Sequence, residues 1–256
     1  MIRFFVFFLF IVLKSFSQKA EIVLKSGYSH NYALGYCYYV EDKIDTSKLF
    51  FVGIVKITSS NLDAHVVGAT HLLKAKTKEL NGNTYKLKSV LKLDTSLVML
   101  FDIYFAPENQ ISSIKAARLK DQIIVFNNIK DTLTRRLNIN DSMYSFNRSK
   151  YLVIYTKNKN VKIKIDSGKV VRYNDKIKPG QSAEFITVKV NNSSKAILYT
   201  TAIATGGMIG FVAASTTESL INKQIIPSFE YLSNINYNTG RILMSIYQKD
   251  RQITLD

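Results

Sequence analysis

The stretch SSNLDAHVVGATHLLKAKTKELNGN, residues 59–83, carries the clearest helical pattern in the chain. With one polar exception, apolar side chains recur at steps of four and three: Leu62, Val66, Ala69, Leu73, Thr77 and Leu80. Such a helix has one apolar side that must pack against neighbouring elements. Ser60 or Asn61 can cap its start, and Asn81-Gly82-Asn83 can end it in the left-handed backbone conformation. We therefore predict one amphipathic helix over residues 62–80.

Strand patterns lie on both sides of this helix. KLFFVGIVKI, residues 48–57, is an apolar run of strand length. In residues 85–93, Tyr85, Leu87, Ser89, Leu91 and Leu93 alternate with the other residues, mostly lysines, as in a half-buried strand. Residues 97–106 return the chain as a more fully buried strand, and Pro107 ends it. Together these segments predict a β-α-β-β unit.

The stretch GYSHNYALGYCYYVE, residues 27–41, raises the question of what its tyrosines do. In a strand, Tyr28, Tyr32, Tyr36 and Tyr38 would share one face, and small residues including Cys37 would occupy the other. Two glycines disfavour a helix, and aromatic residues favour a strand. We predict a strand that extends the sheet of the β-α-β-β unit. We favour tyrosines packed on the helix over tyrosines that form a binding surface.

Beyond Pro107 the pattern changes to short strands. Residues 111–120 suit a short helix or a linker, and from Asp121 onward strand patterns recur at intervals of about ten residues, which is typical of an antiparallel sandwich or barrel. RILMSIYQ, residues 241–248, is predicted to be one more strand. The fold class is therefore α+β, with an N-terminal β-α-β-β module over residues 18–108 and an antiparallel β-sandwich-like module over residues 109–256.

The first residues, MIRFFVFFLFIVLKSFSQ, have the pattern of a secretory signal peptide over residues 1–17. The apolar part is shorter than the roughly 20 residues that a spanning helix needs, although a retained N-terminal anchor is the alternative. Cleavage is expected between Ser17 and Gln18. Cys37 is the single cysteine, so the chain cannot form an internal disulfide. Export without disulfides is typical of a bacterial envelope, either periplasmic or associated with the outer membrane.

The formal net charge of +16 indicates which partners to expect. For an exported basic protein we expect an anionic envelope polymer, lipid headgroups at a membrane surface or an envelope protein as the partner. Nucleic acid is not expected in that compartment. A simple solvated surface is the alternative, because the lysines are spread along the chain. Residues 196–216, AILYTTAIATGGMIGFVAAST, carry no charge and suit either a buried hairpin or a membrane-inserted segment.

Residues with catalytic or metal-binding chemistry are few. His30, His65 and His71 lack a metal-ligand spacing, and Cys37 has no CxxC partner. Asp102 is expected to be an exposed or paired strand residue. We predict no catalytic residue, metal or cofactor, and keep an enzyme with a dispersed active site as an alternative.

The candidate binding residues combine aromatic rings with positive charge. On the alternation described above, Lys86, Lys88 and Lys92 share one face of the sheet. With Tyr28, Tyr32, Tyr36 and Tyr38 they would form a cationic, aromatic surface for an anionic glycan or headgroup. The competing interpretation is an ordinary one-sided sheet whose lysines protect an edge.

The helix end KAKTKELNGNTYKL, residues 74–87, resembles a pattern of small bacterial envelope domains, in which a helix closes on a Leu-Gly-Ala-Asn-Ala-like signal before a strand. Residues 80–84 depart from it by one extra residue before the glycine. The signal peptide, the lack of disulfides and the GGMIGF segment, residues 206–211, resemble those of uncharacterised exported proteins of Gram-negative bacteria. The resemblance covers about residues 48–106 and extends only loosely beyond them. Some relatives of the helix-strand pattern are called heavy-metal-binding domains, but no ligand cluster here matches that label. The resemblance implies a non-catalytic binding or structural protein of the envelope. An outer-membrane component that inserts residues 196–216 is the alternative.

Overall fold

The computed structural model describes residues 18–27, 35–59, 66–93, 96–127, 135–147, 149–156, 160–165, 173–191 and 229–255. Within these ranges the chain forms three α-helices and fourteen strands, which are arranged in three sheets. The predicted mixed α+β class, with strands in the majority, is confirmed. The predicted signal peptide and residues 196–216 lie outside the described residues.

The N-terminal sheet has the strand order β1-β3-β5-β4-β2. Its strands are β1 (Lys19–Lys25), β2 (Tyr38–Tyr39), β3 (Phe50–Ser59), β4 (Thr84–Lys92) and β5 (Leu97–Phe105). Helix α1 (Val66–Glu79) follows β3 and packs on β1 and β3. The strand, helix, strand, strand order predicted for residues 48–106 is therefore present.

Helix α1 buries the side that the sequence pattern indicated. Ala69, Leu73, Thr77 and Leu80 are each at most 2% exposed. The hydroxyl of Thr77 donates to the carbonyl oxygen of Leu73 at 2.8 Å, so the polar exception in the stripe is satisfied within the helix. The predicted capping residues Ser60 and Asn61 lie outside the described residues.

The turn after α1 uses both asparagines and the glycine, each for a different reason. Asn81 takes the left-handed conformation, with φ of 59°. A Cβ on Gly82 would lie 2.6 Å from Cγ2 of Ile103, so only glycine lets the chain pass this close to β5. The amide of Asn83 donates to the carbonyl oxygen of Ala106 and accepts from its N–H, both at 2.7 Å. These contacts fix the end of the helix against the end of β5.

A β-bulge at Lys88 changes which residues of β4 face the core. Before the bulge Leu87 lies opposite the buried Phe101, and after it Val90 lies opposite the buried Met99. Because residues directly opposite each other in an antiparallel pair share a face, the bulge turns Val90 inward and Leu91 outward. Leu91 is accordingly 56% exposed. The predicted alternation holds for the first half of β4 and is wrong for the second half.

We expect the two neighbouring residues Val90 and Leu91 to respond differently to alanine. Val90→Ala should lower the free energy of unfolding by about 1–2 kcal/mol, because two partly buried methyl groups are lost from the core. Leu91→Ala should change it by less than about 0.5 kcal/mol. Urea denaturation of both variants measures the difference, and equal or reversed losses would contradict the bulge.

The central sheet has the order β13-β12-β6-β9-β14, and its middle strands are buried on both faces. Its strands are β6 (Gln122–Phe126), β9 (Lys150–Thr156), β12 (Glu184–Asn191), β13 (Phe229–Ile235) and β14 (Gln248–Leu255). In β6, Ile124 and Phe126 face the helices and the N-terminal sheet, and Ile123 and Val125 face the outer sheet. The predicted all-antiparallel arrangement is wrong for two pairs, since β12 is parallel to β6 and β14 is parallel to β9.

The outer sheet has the order β11-β10-β7-β8 and covers the second face of the central sheet. Its strands are β7 (Arg135–Ile139), β8 (Ser142–Phe146), β10 (Asn160–Ile165) and β11 (Tyr173–Lys176). Two packed sheets make this part sandwich-like. Helix α2 (Glu108–Ala116) lies between β5 and β6 in the chain and buries Ile111 and Ile114. For residues 111–120 we predicted either a short helix or a linker. The structure has a helix there, and it ends at Ala116.

The C-terminal segment corrects one prediction. RILMSIYQ is not a strand, because helix α3 (Tyr237–Ile246) takes up most of it and β14 begins at Gln248. Asn236 caps α3 by accepting a hydrogen bond from the N–H of Thr239 at 2.9 Å. The helix contacts β2 and β4 of the N-terminal sheet as well as β12 and β14 of the central sheet. It is therefore packed between the two sheets.

Candidate functional site

A cavity of about 370 Å³ lies where β2, α1 and the first turn of α3 meet. This volume equals about a dozen water molecules at roughly 30 Å³ each, enough for a small organic ligand. Its strand side consists of Tyr36, Cys37, Tyr38 and Tyr85. Tyr36 is 71% exposed, whereas Cys37 and Tyr85 are buried. The cavity thus runs from an exposed aromatic ring to a buried aromatic and thiol floor.

Helix α1 supplies the second wall through Thr70, His71 and Lys74. These residues lie on the side of α1 that turns away from the N-terminal sheet toward α3. The hydroxyls of Thr70 and Thr239 lie 3.2 Å apart, which joins the two helices beside the cavity. His71 and Lys74 are exposed, so they add an imidazole ring and a positive charge at the solvent side.

The start of α3 forms the third wall with Asn236, Tyr237 and Asn238. The amide of Asn238 donates to the carbonyl oxygen of Cys37 at 2.7 Å and accepts from the N–H of Tyr39 at 3.1 Å. Asn238 therefore pairs with the backbone of β2 much as another strand would. The Oδ1 atom of Asn236 is engaged in capping, since it accepts from both the N–H and the hydroxyl of Thr239.

Arg118, just after α2, completes the cavity lining. Its guanidinium carbon lies 4.6 Å from the ring centroid of Tyr237 and 5.8 Å from that of Tyr38. The Nε atom is buried and has no hydrogen-bond partner among the described residues. Lys115 lies over the same Tyr38 ring, with Nζ 5.2 Å from the centroid. Arg118 is thus held against aromatic rings while its buried Nε donor has no partner among the described residues.

A buried ion pair supports the cavity from behind. Glu41, which is 4% exposed, accepts from Nε of Arg241 at 2.8 Å and from a terminal nitrogen of Arg241 at 2.7 Å. The hydroxyl of Tyr237 donates to Glu41 at 2.6 Å and accepts from the N–H of Leu119 at 2.7 Å. Arg241 also lies over the ring of Tyr39. This network connects β2, α3 and the chain after α2, and it fixes the ring of Tyr237 beneath Arg118.

Burial controls the protonation of the cavity floor. It raises the pKa of the Cys37 thiol, and the opposing charges of Lys74 and Lys78 are weaker. It also raises the pKa of Tyr85 and, together with the hydrogen bond to Glu41, that of Tyr237. At neutral pH these groups carry no negative charge. The thiol is therefore poorly suited to act as a nucleophile.

The predicted tyrosines have different positions. Tyr28 and Tyr32 lie outside the described residues. Tyr36 and Tyr38 line the cavity, but packing against the helix is wrong for Tyr36, which is exposed. The predicted strand is limited, within the described part, to Tyr38–Tyr39, which pairs in parallel with β4 at the sheet edge. Cys37 is buried, as expected.

The predicted lysines do not form one surface. Lys86 lies opposite Asp102 on the outer face of the N-terminal sheet, with Nζ 3.5 Å from Asp42. Lys88 sits in the bulge, 3.5 Å from Asp102, so the aspartate is paired as expected. Lys92 lies beyond the bulge on the other face and donates to the carbonyl oxygen of Ile246 in α3. A shared lysine face is therefore wrong, and the bulge is the cause.

Most cavity residues were not predicted. Arg118 follows a helix that the sequence left undecided, and residues 236–238 precede a segment read as a strand. The sequence Asn-Tyr-Asn-Thr before an apolar run is a helix start signal that would have located α3. Nothing in the sequence indicated that Arg118 lies beside these residues.

The described ranges contain neither a cluster of metal-binding side chains nor a membrane-spanning helix. Nowhere in them do three histidine, cysteine, aspartate or glutamate side chains come together as a metal site. None of the helices located there has the length and apolar character to cross a membrane. Neither finding covers His30, His65 or residues 196–216.

Comparison with known proteins adds no relative. No family model matches the chain, and neither a curated protein nor a solved structure matches it significantly.

Proposed function

We propose that this chain is an exported, non-catalytic binding protein of a bacterial cell envelope, and that it binds an anionic envelope component in the cavity between β2, α1 and α3. The observation that carries the proposal is the Nε donor of Arg118, which has no partner among the described residues. Arg118 lines a cavity whose described lining contains no acidic residue. Export and the bacterial origin rest on the signal-peptide pattern and the single cysteine.

The hydrogen-bonding capacity left in the cavity favours a ligand rich in acceptors. The acceptor atoms of Asn236 and Asn238 are engaged within the protein. The hydroxyl of Tyr237 both donates and accepts internally. Arg118, Lys74 and the amide nitrogen of Asn236 can only donate, whereas the hydroxyls of Tyr36 and Tyr38 and the His71 ring can donate or accept. A buried N–H group without a hydrogen-bond partner destabilises the protein, because it has lost its hydrogen bonds to water. An anion that accepts a hydrogen bond from this group removes that penalty, which favours binding.

Charge points in the same direction. Arg118 and Lys74 contribute two positive charges, and the positive end of the α3 dipole lies at the same cavity. Glu41, behind the wall, is neutralised by Arg241. A ligand here would contact both predicted modules, residues 18–108 and residues 109–256, and we propose that their arrangement serves to form this cavity.

A binding assay with anionic and neutral envelope mimics tests the proposal. Polygalacturonate and phosphatidylglycerol vesicles serve as anionic probes, and dextran and phosphatidylcholine vesicles as neutral ones. We expect an anionic probe to bind and the neutral ones not to bind. The double variant K74Q/R118Q should weaken this binding by at least about 10-fold, because charged hydrogen bonds are lost.

The matched control separates the cavity from overall charge. K48Q/K178Q removes the same two charges from exposed positions. It should weaken binding by less than about threefold, because exposed charges are screened by salt. Equal losses for the two double variants, or no binding to any anionic probe, would refute the cavity as the binding site.

Fractionation tests the proposed location. Expression of the full chain in a Gram-negative host should yield a product that begins at Gln18 and is released by osmotic shock without detergent. Retention with the outer membrane until detergent is added would instead support the component that inserts residues 196–216.

An enzyme is the second candidate because Cys37 and His71 line the same cavity. The raised pKa of Cys37 opposes this role, since a cysteine nucleophile reacts as the thiolate.

A further inference from the structure

We infer that the ligand is an acidic sugar, and that Arg118 binds its carboxylate. This inference rests on the proposed function, because it identifies the anionic group that the cavity takes. A carboxylate-bearing sugar is also the repeating unit of many acidic polysaccharides, so either a free sugar or the end of a polymer meets the requirement.

The surroundings of Arg118 favour a planar anion. The guanidinium carbon of Arg118 lies over the rings of Tyr237 and Tyr38, at 4.6 Å and 5.8 Å from their centroids. A guanidinium held on aromatic rings in this way can still form hydrogen bonds through its N–H groups. The edge formed by Nε and one terminal nitrogen carries two parallel donors, and these match the two oxygens of a carboxylate. The Nε atom is the buried donor that has no partner in the described part of the protein. A carboxylate at this edge therefore satisfies it.

The rest of the cavity suits a sugar ring better than an aliphatic acid. Tyr36 is 71% exposed at the opening, and a tyrosine ring of this kind packs on the C–H face of a pyranose. Lys74 and the amide nitrogen of Asn236 are donors for the ring and hydroxyl oxygens. The volume of about 370 Å³ accommodates one sugar residue with a few waters.

NMR of the purified chain with isotope-labelled arginine side chains tests the inference. The probes are D-glucuronate, D-glucose 6-phosphate and D-glucose, which share a ring and differ in the group at one carbon. We expect D-glucuronate to shift the Arg118 Nε–H signal as a new hydrogen bond forms. It should bind about 10- to 100-fold more tightly than D-glucose, the range for a hydrogen bond to a charged group.

Two variants separate the guanidinium edge from charge alone. R118K keeps the charge but loses the two parallel donors, so it should lose most of the preference for D-glucuronate. K115Q removes a neighbouring positive charge, because Lys115 lies over the Tyr38 ring but is not among the lining residues of the cavity. This variant should keep the preference for D-glucuronate over D-glucose. The labelled Arg241 signal shows whether each variant is folded. It should stay unchanged as long as Arg241 remains paired with Glu41.

The outcomes distinguish this inference from the proposed function. If D-glucose 6-phosphate binds more tightly than D-glucuronate, or if R118K retains the preference, the cavity binds an anion but the carboxylate assignment to Arg118 is wrong. If none of the three sugars shifts any arginine signal while the vesicles of the earlier assay still bind through Lys74 and Arg118, the acidic sugar is excluded and the binding function stands. If no anionic probe binds in either assay, both fail.

Discussion

Replacing Glu41 by alanine is expected to lower the free energy of unfolding by about 3–5 kcal/mol, the range for removing one partner of a buried ion pair. Glu41 is 4% exposed and accepts hydrogen bonds from Arg241 and Tyr237. Its loss leaves the guanidinium of Arg241 without its counter-charge inside the protein. The Tyr237 hydroxyl loses its acceptor as well. Burial alone disfavours the charged form of Arg241, and it is the carboxylate of Glu41 that outweighs this effect and raises the pKa of Arg241.

Urea denaturation followed by circular dichroism measures this loss. Glu79→Ala is the matched control, because Glu79 pairs with Lys76 at 2.7 Å but is 55% exposed, and its loss should cost less than about 1 kcal/mol. Replacing both partners, as E41M/R241M, should cost less than E41A alone, because no unpaired charge remains. A loss for E41A as small as that for E79A would show that Glu41 and Arg241 are not buried together.

The sequence correctly predicted the elements that have a long regular pattern of apolar residues or a clear signal at their ends. Helix α1 follows from fourteen helical residues with a regular apolar stripe, and its end follows from the asparagines and glycine at 81–83. The strands β3 and β5 follow from continuous apolar runs. In these segments the local preference and the final packing agree.

The errors arise where a pairing partner or a distant segment decides the structure. The alternation of β4 continues past Lys88 in the sequence, and only the pairing with β5 shows that a bulge brings Val90 inward. Residues 241–246 form a short, mostly apolar segment that includes the β-branched Ile242 and Ile246. In so short a segment, periodicity alone does not distinguish a helix from a strand. Burial between two sheets and the Asn236 cap select the helix.

The candidate site was less predictable than the fold because it combines distant parts of the chain. Tyr38, Lys74, Arg118 and Asn238 come from four separate elements or connections. Each has an ordinary local context, so no short motif marks it. The tyrosine stretch did indicate aromatic character, and two of its tyrosines line the cavity. The cationic partners are Arg118 and Lys74 rather than the predicted strand lysines.

Replacing Gly240 by alanine is expected to lower the free energy of unfolding by about 3 kcal/mol, the upper end of the usual cost of overpacking. A Cβ on Gly240 would lie 2.2 Å from Cγ and Cδ1 of Phe185 and 2.8 Å from its Cβ. The Phe185 ring is buried and has ring neighbours on two sides, because it stacks on Phe126 and meets Tyr237 edge-on at 5.3 Å. Alanine gains about 1 kcal/mol in helix propensity, which is too little to offset the clash.

Gly68→Ala is the matched control, because Gly68 also lies within a helix but its added Cβ would meet the flexible end of Gln18 at 2.5 Å. The glutamine side chain can turn away, so this variant should gain up to about 1 kcal/mol from helix propensity. Phe185→Leu should recover part of the loss in G240A, since a smaller side chain makes room for the methyl group, and a double-mutant cycle measures this coupling. If G240A and G68A have the same stability, α3 does not pack on Phe185, and the wall of the cavity that Tyr237 and Asn238 supply would be placed wrongly.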